Sequence, residues 1–300
     1  MQLTRSSEAP LLVERPARRV TSHPIGIRRL ATSSLPHLVL AIVAVASILP
    51  FLWMVLDSFK FSEEIVRQPP TFLPERWTVH SYVELFGSEM QFGLALTNSL
   101  IVAIGATTSV LVCSSLAGFV FAKYTFPGKE ILFIVILSTL MVPFTVVLLP
   151  LFVLVTKIGL YNTIPGLLAT ELVSTFGIFI MRQFIEAIPN EMLDAARVDG
   201  ASEWWIYSRV IIPLSGQALA ALAIFTFMWN WDSYLWPLVM LSSPERMTLP
   251  LALTRLQHLY YTRYDIVLTG ATVTIVPVVA VYLFFQRHFV RGIALTGIKA

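Results

Sequence analysis

Six stretches of the chain are apolar on every side and carry almost no charge: residues 38–56, 92–122, 131–156, 164–181, 218–241 and 266–285. Each approaches or exceeds the ~20 apolar residues that a membrane-spanning helix needs. The alternation over ~10 residues that marks a barrel strand is absent from them. The pattern therefore predicts an all-α polytopic membrane protein with six transmembrane helices. Three of the runs carry an irregularity. The third holds Pro143 and Pro150, the fourth Glu171 and the fifth Asp232. The polar segments between the runs divide the chain. Residues 1–34 form a basic arm, 35–91 a first helix with an external segment, and 92–290 a five-helix core. Residues 291–300 form a tail.

Composition sharpens this picture. The chain has 300 residues, of which 56% are hydrophobic and 13% charged. Soluble domains carry about 25% charged residues, so a soluble enzyme is excluded. A disordered chain is excluded by the apolar content. The net charge of +3 would suit nucleic acid, but in a membrane protein positive charge records orientation instead. No nucleic-acid partner is expected. With the N-terminus inside, the inner segments hold 14 Lys and Arg and the outer ones 7, of the 21 in the chain. That bias predicts both termini in the cytoplasm, and an even helix count agrees with it. The first apolar run starts too late for a secretory signal. The single cysteine, Cys113, is expected to be a small packing residue. No catalytic set and no metal-ligand set can be drawn.

The segment 182–217 is polar yet patterned. Asn190 is placed as an N-cap, with Glu191 and Asp194 near the positive end of the helix dipole. Met192, Ala195 and Ala196 share a helical face. Gly200 suits a left-handed C-cap, and Ser202 can cap a second short helix that continues through Trp204, Trp205 and Tyr207. Pro213 falls where the next span begins. Two readings stay open on these residues alone: a docking helix for another protein, or an amphipathic helix lying on lipid headgroups.

The stretch Asp194-Ala195-Ala196-Arg197-Val198-Asp199-Gly200-Ala201, continuing to Ile211-Ile212-Pro213, resembles the EAA loop of binding-protein-dependent ABC importers. Asp194 stands where that family usually has Glu, and Ile212-Pro213 where Leu-Pro is common. Leu96 to Leu100, Phe121 to Lys129, Trp229 to Leu238 and Phe285 to Gly292 are similar to the carbohydrate branch, its maltose-permease-G-like subunits, over residues 35–300. The resemblance implies a type I ABC importer permease fold in a bacterial inner membrane. It implies a coupling loop at 186–213 in which Glu191, Asp194, Ala195, Ala196, Asp199, Gly200, Ala201 and Pro213 meet an ATPase. The implied partners are a second homologous permease, a dimer of ATP-binding subunits and an extracytoplasmic solute-binding protein, besides membrane lipid. ATP and Mg would sit on the partner ATPase and no cofactor on this chain, which has no Gly-rich phosphate loop.

Charges at membrane depth cost at least ~2.5 kcal/mol, so they face a cavity or a partner. Glu171 and Asp232 are such charges. Trp229, Asn230, Trp231 and Tyr234 surround Asp232 in sequence. Sugars stack on aromatic rings and bond to carboxylates and amides, so these six residues are candidates for a substrate path. An aromatic belt at the membrane surface is the alternative. Asn98 and Ser99 read as helix–helix bonding residues, and His258 and His288 as solvated. An ion-coupled carrier fits poorly without internal repeats. Import of glycerol 3-phosphate or a glycerophosphodiester would favour Arg or Lys within the spans. None is there, which leans toward a neutral sugar.

Overall fold

The structure, a computed structural model, describes residues 27–87, 91–259 and 263–296, with side chains over 36–87, 91–257 and 263–286. The arm before residue 27, the last four residues and the side chains of His258 and His288 lie outside the described residues. Fifteen α-helices run in chain order among the described residues. The first part holds α1 (Ile27–Asp57), α2 (Ser62–Ile65), α3 (His80–Leu85) and α4 (Phe92–Lys123). The middle holds α5 (Lys129–Ser138), α6 (Phe144–Lys157), α7 (Ile164–Leu168), α8 (Thr175–Glu186), α9 (Asn190–Val198) and α10 (Glu203–Ile206). The last part holds α11 (Ile212–Leu214), α12 (Gly216–Trp231), α13 (Leu235–Met240), α14 (Leu249–Leu259) and α15 (Tyr264–Thr296). No strand occurs among the described residues, as the all-round apolar runs predict.

Three helices are by themselves long and apolar enough to cross a membrane: Pro36–Asp57 within α1, Phe92–Lys123, and Tyr264–Gln286 within α15. Two further candidates are bent pairs. One is Lys129–Met141 with Phe144–Lys157, bent by 100°, and the other is Glu203–Leu214 with Gly216–Trp231, bent by 76°. The described helices therefore supply three to five spans by length and composition, against the six apolar runs. The shortfall has one physical cause: three of the runs are broken. Val142 and Pro143 divide α5 from α6, where proline has no N–H to donate. Residues 169–174 divide α7 from α8, and Ser174 caps α8 by accepting from the Gly177 N–H at 3.0 Å. Residues 232–234 divide α12 from α13.

Two compact units divide at residue 51. In the first, the α1 side chains over 36–51 are exposed, as befits a helix in hydrocarbon. In the second, α4 is the central element. At ~1.5 Å per residue its 32 residues span about 48 Å, more than the ~30 Å of hydrocarbon. It packs on α8 so closely that a Cβ on Gly118 would lie 2.6 Å from the Met181 Cβ and 2.9 Å from the Arg182 backbone nitrogen. Ser114, one turn back, meets Gly177 in the same way. Small residues let helix backbones approach in lipid, where there is no hydrophobic drive between helices. On another side, Trp231, Phe227, Phe92, Ala95 and Ile266 form a buried cluster joining α12, α4 and α15.

Polar bonds fix the segment between α1 and α4. The buried Lys60 ammonium lies 2.7 Å from Asp57 and donates to the Thr71 carbonyl. Arg263 bridges Glu84 at 2.7 Å and Asp265 at 2.9 Å, and the Ser81 hydroxyl donates to Asp265 at 2.8 Å. Hydrogen bonds to these carboxylates raise the Arg263 pKa further above its ordinary value. Burial pushes the Glu64 carboxyl up, but the Glu75 N–H and the Thr71 hydroxyl outweigh it and hold its pKa low. Asn98 and Ser99 bond across to the loop before α14. The Asn98 amide donates to the Glu245 and Met247 carbonyls, and the Ser99 hydroxyl accepts from the Leu249 N–H at 2.7 Å.

Candidate functional site

The polar segment 187–215 folds as two short helices around a glycine. Helix α9 ends in a Schellman turn: the Ala201 N–H reaches the Ala196 carbonyl at 2.9 Å and the Gly200 N–H the Arg197 carbonyl at 3.0 Å. Gly200 takes φ +83°, the left-handed conformation that glycine alone adopts freely. Ser202 caps α10, accepting from the Trp205 N–H at 3.2 Å. A π-helical turn, Tyr207–Ile211, follows, and Pro213 stands in the first turn of α11.

Two details differ from the sequence reading. Asn190 does not cap α9. The preceding Pro189 holds the cap position, and the Asn190 side chain instead accepts from the Lys123 ammonium at 2.9 Å. The same ammonium donates to the Ile188 and Glu186 carbonyls. One lysine at the end of α4 thus fastens both the end of α8 and the start of α9. The second difference is the grouping on α9, where Ala196 turns inward, apart from the outward Met192 and Ala195. The residue of α9 buried in the protein is Leu193, 1% exposed, with Ala196 half-buried beside it. Met192, Ala195 and Val198 face outward, and Val198 is 87% exposed.

The loop is braced from within. Leu193, Ile206, Tyr207 and Ile211 pack against Val110, Phe119, Met181 and Ile185 of α4 and α8. The Tyr207 and Ser115 hydroxyls bond at 2.8 Å in the interior. Arg197 crosses the glycine turn to Glu203 at 2.7 Å and back to Asp194 at 2.9 Å. Tyr124 donates to the same Glu203 carboxylate. Bonds from Arg197 and Tyr124 hold the Glu203 pKa low. Burial, and then Glu203, push the Tyr124 hydroxyl up, so it stays a donor. What remains outward is an apolar surface of Met192, Val198, Trp204 and Trp205, with Glu191, Asp194, Asp199 and Gly200 exposed around it.

The second group of candidates lies at the other ends of the same helices. A cleft of about 280 Å³ is lined by Phe144, Glu171, Trp229, Asp232, Ser233, Tyr234, Leu235 and Trp236. A neighbouring cleft of about 420 Å³ shares Glu171 and Trp229 and adds Ser174, Phe176, Thr226 and Asn230 among its walls. Residues flanking or within all three helix breaks line these clefts: Phe144 after the first, Glu171 and Ser174 in the second, Asp232 to Tyr234 in the third. Irregular backbone is tolerated at membrane depth only where it lines a cavity or is buried in protein.

Four of the six candidate residues, Glu171, Trp229, Asp232 and Tyr234, come together in the smaller cleft. Asn230 is largely buried on the wall of the larger one, where its amide donates to the Thr226 carbonyl at 3.0 Å. Trp231 is elsewhere. It is 0% exposed, stacks on Phe227 and donates to the Thr274 carbonyl at 3.2 Å. Helical geometry explains the split, because residues two apart point to opposite sides; Trp229 is 71% exposed. Sequence reading missed Phe144, Ser174, Phe176, Thr226 and Ser233. Their signal was small polar residues and a proline interrupting otherwise apolar runs.

The matching family model is the binding-protein-dependent transport system inner membrane component, over residues 114–295. The chain is 36% identical to the arabinooligosaccharides transport system permease protein AraQ of Halalkalibacterium halodurans, covering 86% of this chain and 94% of that one. It is 35% identical to the lactose transport system permease protein LacG of Rhizobium radiobacter, covering 89% and 96%. It is 31% identical to the sn-glycerol-3-phosphate transport system permease protein UgpE of Rhizobium meliloti, covering 90% and 98%. Among solved structures, a chain of a bacterial ABC transporter involved in import of the acidic polysaccharide alginate shares the fold. It has TM-score 0.75 and 22% identity, with 88% of this chain and 98% of that one covered. The chain belongs to the family of binding-protein-dependent transport system inner membrane components. It is a permease subunit of an ABC transporter served by a binding protein, and it resides in the inner membrane.

Proposed function

We propose that the chain is one of two homologous permease subunits in an ATP-driven importer that takes up a sugar or oligosaccharide. The substrate is handed over by an extracytoplasmic solute-binding protein, and a dimer of ATP-binding subunits holds ATP and Mg on the cytoplasmic side. Both termini are cytoplasmic, and the broken runs together with the long helices make six spans. The α9–α10 loop docks on the ATPase through Met192, Ala195, Val198 and the acidic residues beside them. The carrying observation is the gathering of Trp229, Tyr234, Glu171 and Asp232 in one cleft formed where helices break. Aromatic faces and carboxylates are the groups that hold a saccharide. Support also comes from relatives named for arabinooligosaccharide and lactose transport.

Affinity purification of the tagged chain in mild detergent tests the assembly. Recovery of a second permease, an ATPase and a solute-binding protein is the expected result. The co-purified binding protein then identifies the sugar by ligand screening. With that sugar, Trp229→Ala and Asp232→Ala should each lower uptake about tenfold or more while the complex still assembles. Unchanged uptake in both variants would remove the cleft from the path.

A further inference from the structure

Resting on the reading of the clefts as the substrate path, we propose that Glu171 and Asp232 make it an electrostatic filter. It passes uncharged saccharides and turns away anionic ones such as uronates and sugar phosphates.

Three observations carry this. First, neither cleft has a Lys, Arg or His on its wall. Second, the Glu171 and Asp232 side chains have no ion pair and no hydrogen-bond donor among the described residues. By contrast, Glu203, Asp265 and Glu84 each face a guanidinium. Third, the two carboxylates share the smaller cleft, and Glu171 also faces the larger one. A substrate moving between the clefts passes Glu171 whichever way it goes.

The physical consequence follows from charge and dielectric. A cleft with walls of one sign and low polarisability focuses the field and changes the local concentration of ions by about tenfold or more. An anion entering would meet like charge and would find no cation to replace its hydration shell. A neutral sugar loses nothing by the field. Its hydroxyls can donate to both carboxylates, which satisfies acceptors that otherwise need water. The glycerol-phosphate relative and the alginate transporter are named for anionic cargo, so a shared fold does not fix this property and the lining of the cleft would.

The filter can be read without the natural substrate. Cys113 is first replaced (Cys113→Ala), since it is the one native thiol. Ser233→Cys then places a reporter in the smaller cleft, and Thr226→Cys one in the larger should the first assemble poorly. The full complex in membranes is treated with a trimethylammonium-ethyl or a sulfonato-ethyl methanethiosulfonate. The ratio of their rates is divided by the same ratio for a free thiol in solution. The expected preference for the cationic reagent is about tenfold, falling to within about twofold in a Glu171→Gln, Asp232→Asn double variant. A normalised ratio near one before the carboxylates are changed, or one that the double variant leaves in place, overturns the filter. A sugar-uptake loss in Trp229→Ala would then still support the path. A thiol that reacts with neither reagent shows a cleft closed to water and overturns path and filter together.

Discussion

Lys123 illustrates how much a single side chain can organise. It ends a helix of 32 residues, and its ammonium meets the Glu186 and Ile188 carbonyls and the Asn190 amide oxygen. A cation beside helix C-terminal carbonyls is favourable, and here it also ties the next helix to the first. Lys123→Met keeps the packing stem and removes every donor. Water can replace the ammonium at the exposed Glu186 and Asn190 acceptors, so the cost is about 1 kcal/mol, the net worth of a typical hydrogen bond. The expected outcome in reconstituted complex is ATP hydrolysis that persists while sugar uptake falls several-fold. Equal uptake would show that the tie has no part in coupling. Gly200 is the second such residue. Nothing lies within 4 Å of a Cβ built on it, so the cost of a side chain is backbone strain, about 1–2 kcal/mol at φ +83°. Gly200→Val should leave membrane insertion intact and separate hydrolysis from uptake. Normal uptake in that variant would sink the assignment of this loop to ATPase docking. Gly200 and Ser202 were legible in the sequence because turn and cap chemistry is local. The phase of α9 was not, because Met192 and Leu193 are equally apolar and only the surrounding helices decide which one is covered.

Among elements, the same limit recurs on a larger scale. Apolar runs announced α4 nearly to both ends, but α1 and α15 to one end each, because α1 begins at Ile27 in the basic arm and α15 runs on to Thr296 past the apolar stretch. Runs that are apolar on all sides carry no phase, however, so Trp229 and Trp231 looked alike and only one faces a cleft. The breaks were also hard to see. Pro143 was visible, and Glu171 and Asp232 marked the other two runs, but a carboxylate within an apolar run signals a cavity or a partner rather than a break in the helix. The contact of α4 with α8 makes its own prediction. Gly118→Val would push a branched side chain into the Met181 Cβ and the Arg182 backbone, with no flexible atom able to yield. Overpacking of this kind costs about 1–3 kcal/mol. Expected are a lower yield of folded complex and a lower melting temperature in detergent, whereas Gly128→Val, at a turn with open space around it, should strain only its own loop. A Gly118→Val variant as stable as the unchanged chain would contradict the close approach of α4 and α8.

For the whole molecule, composition already excluded a soluble protein, and the loop from Asp194 to Pro213 carried the family. Orientation rests on the distribution of Lys and Arg, and it predicts labelling. With Cys113 replaced, a cysteine at Thr125, exposed in the turn after α4, should react with an impermeant maleimide only from the cytoplasmic side of membrane vesicles. One at Pro244, in the loop before α14, should react only from the other side. Reaction of both from one side would break the six-span topology, and reaction from the exchanged sides would reverse it. The arrangement of α8 and α12 has a mechanical meaning. Helix α8 starts beside the clefts and ends at Lys123's acceptors, and α12 starts just after the docking loop and ends at Asp232. They run between the same two places in opposite senses. At 16 residues α12 is about 24 Å long, so a tilt of about 5° about its first turn swings the Asp232 end by roughly 2 Å. A lever of that length turns a small rocking of the loop into a displacement as wide as a hydroxyl group, enough to make or break the grip of one carboxylate on a passing ring.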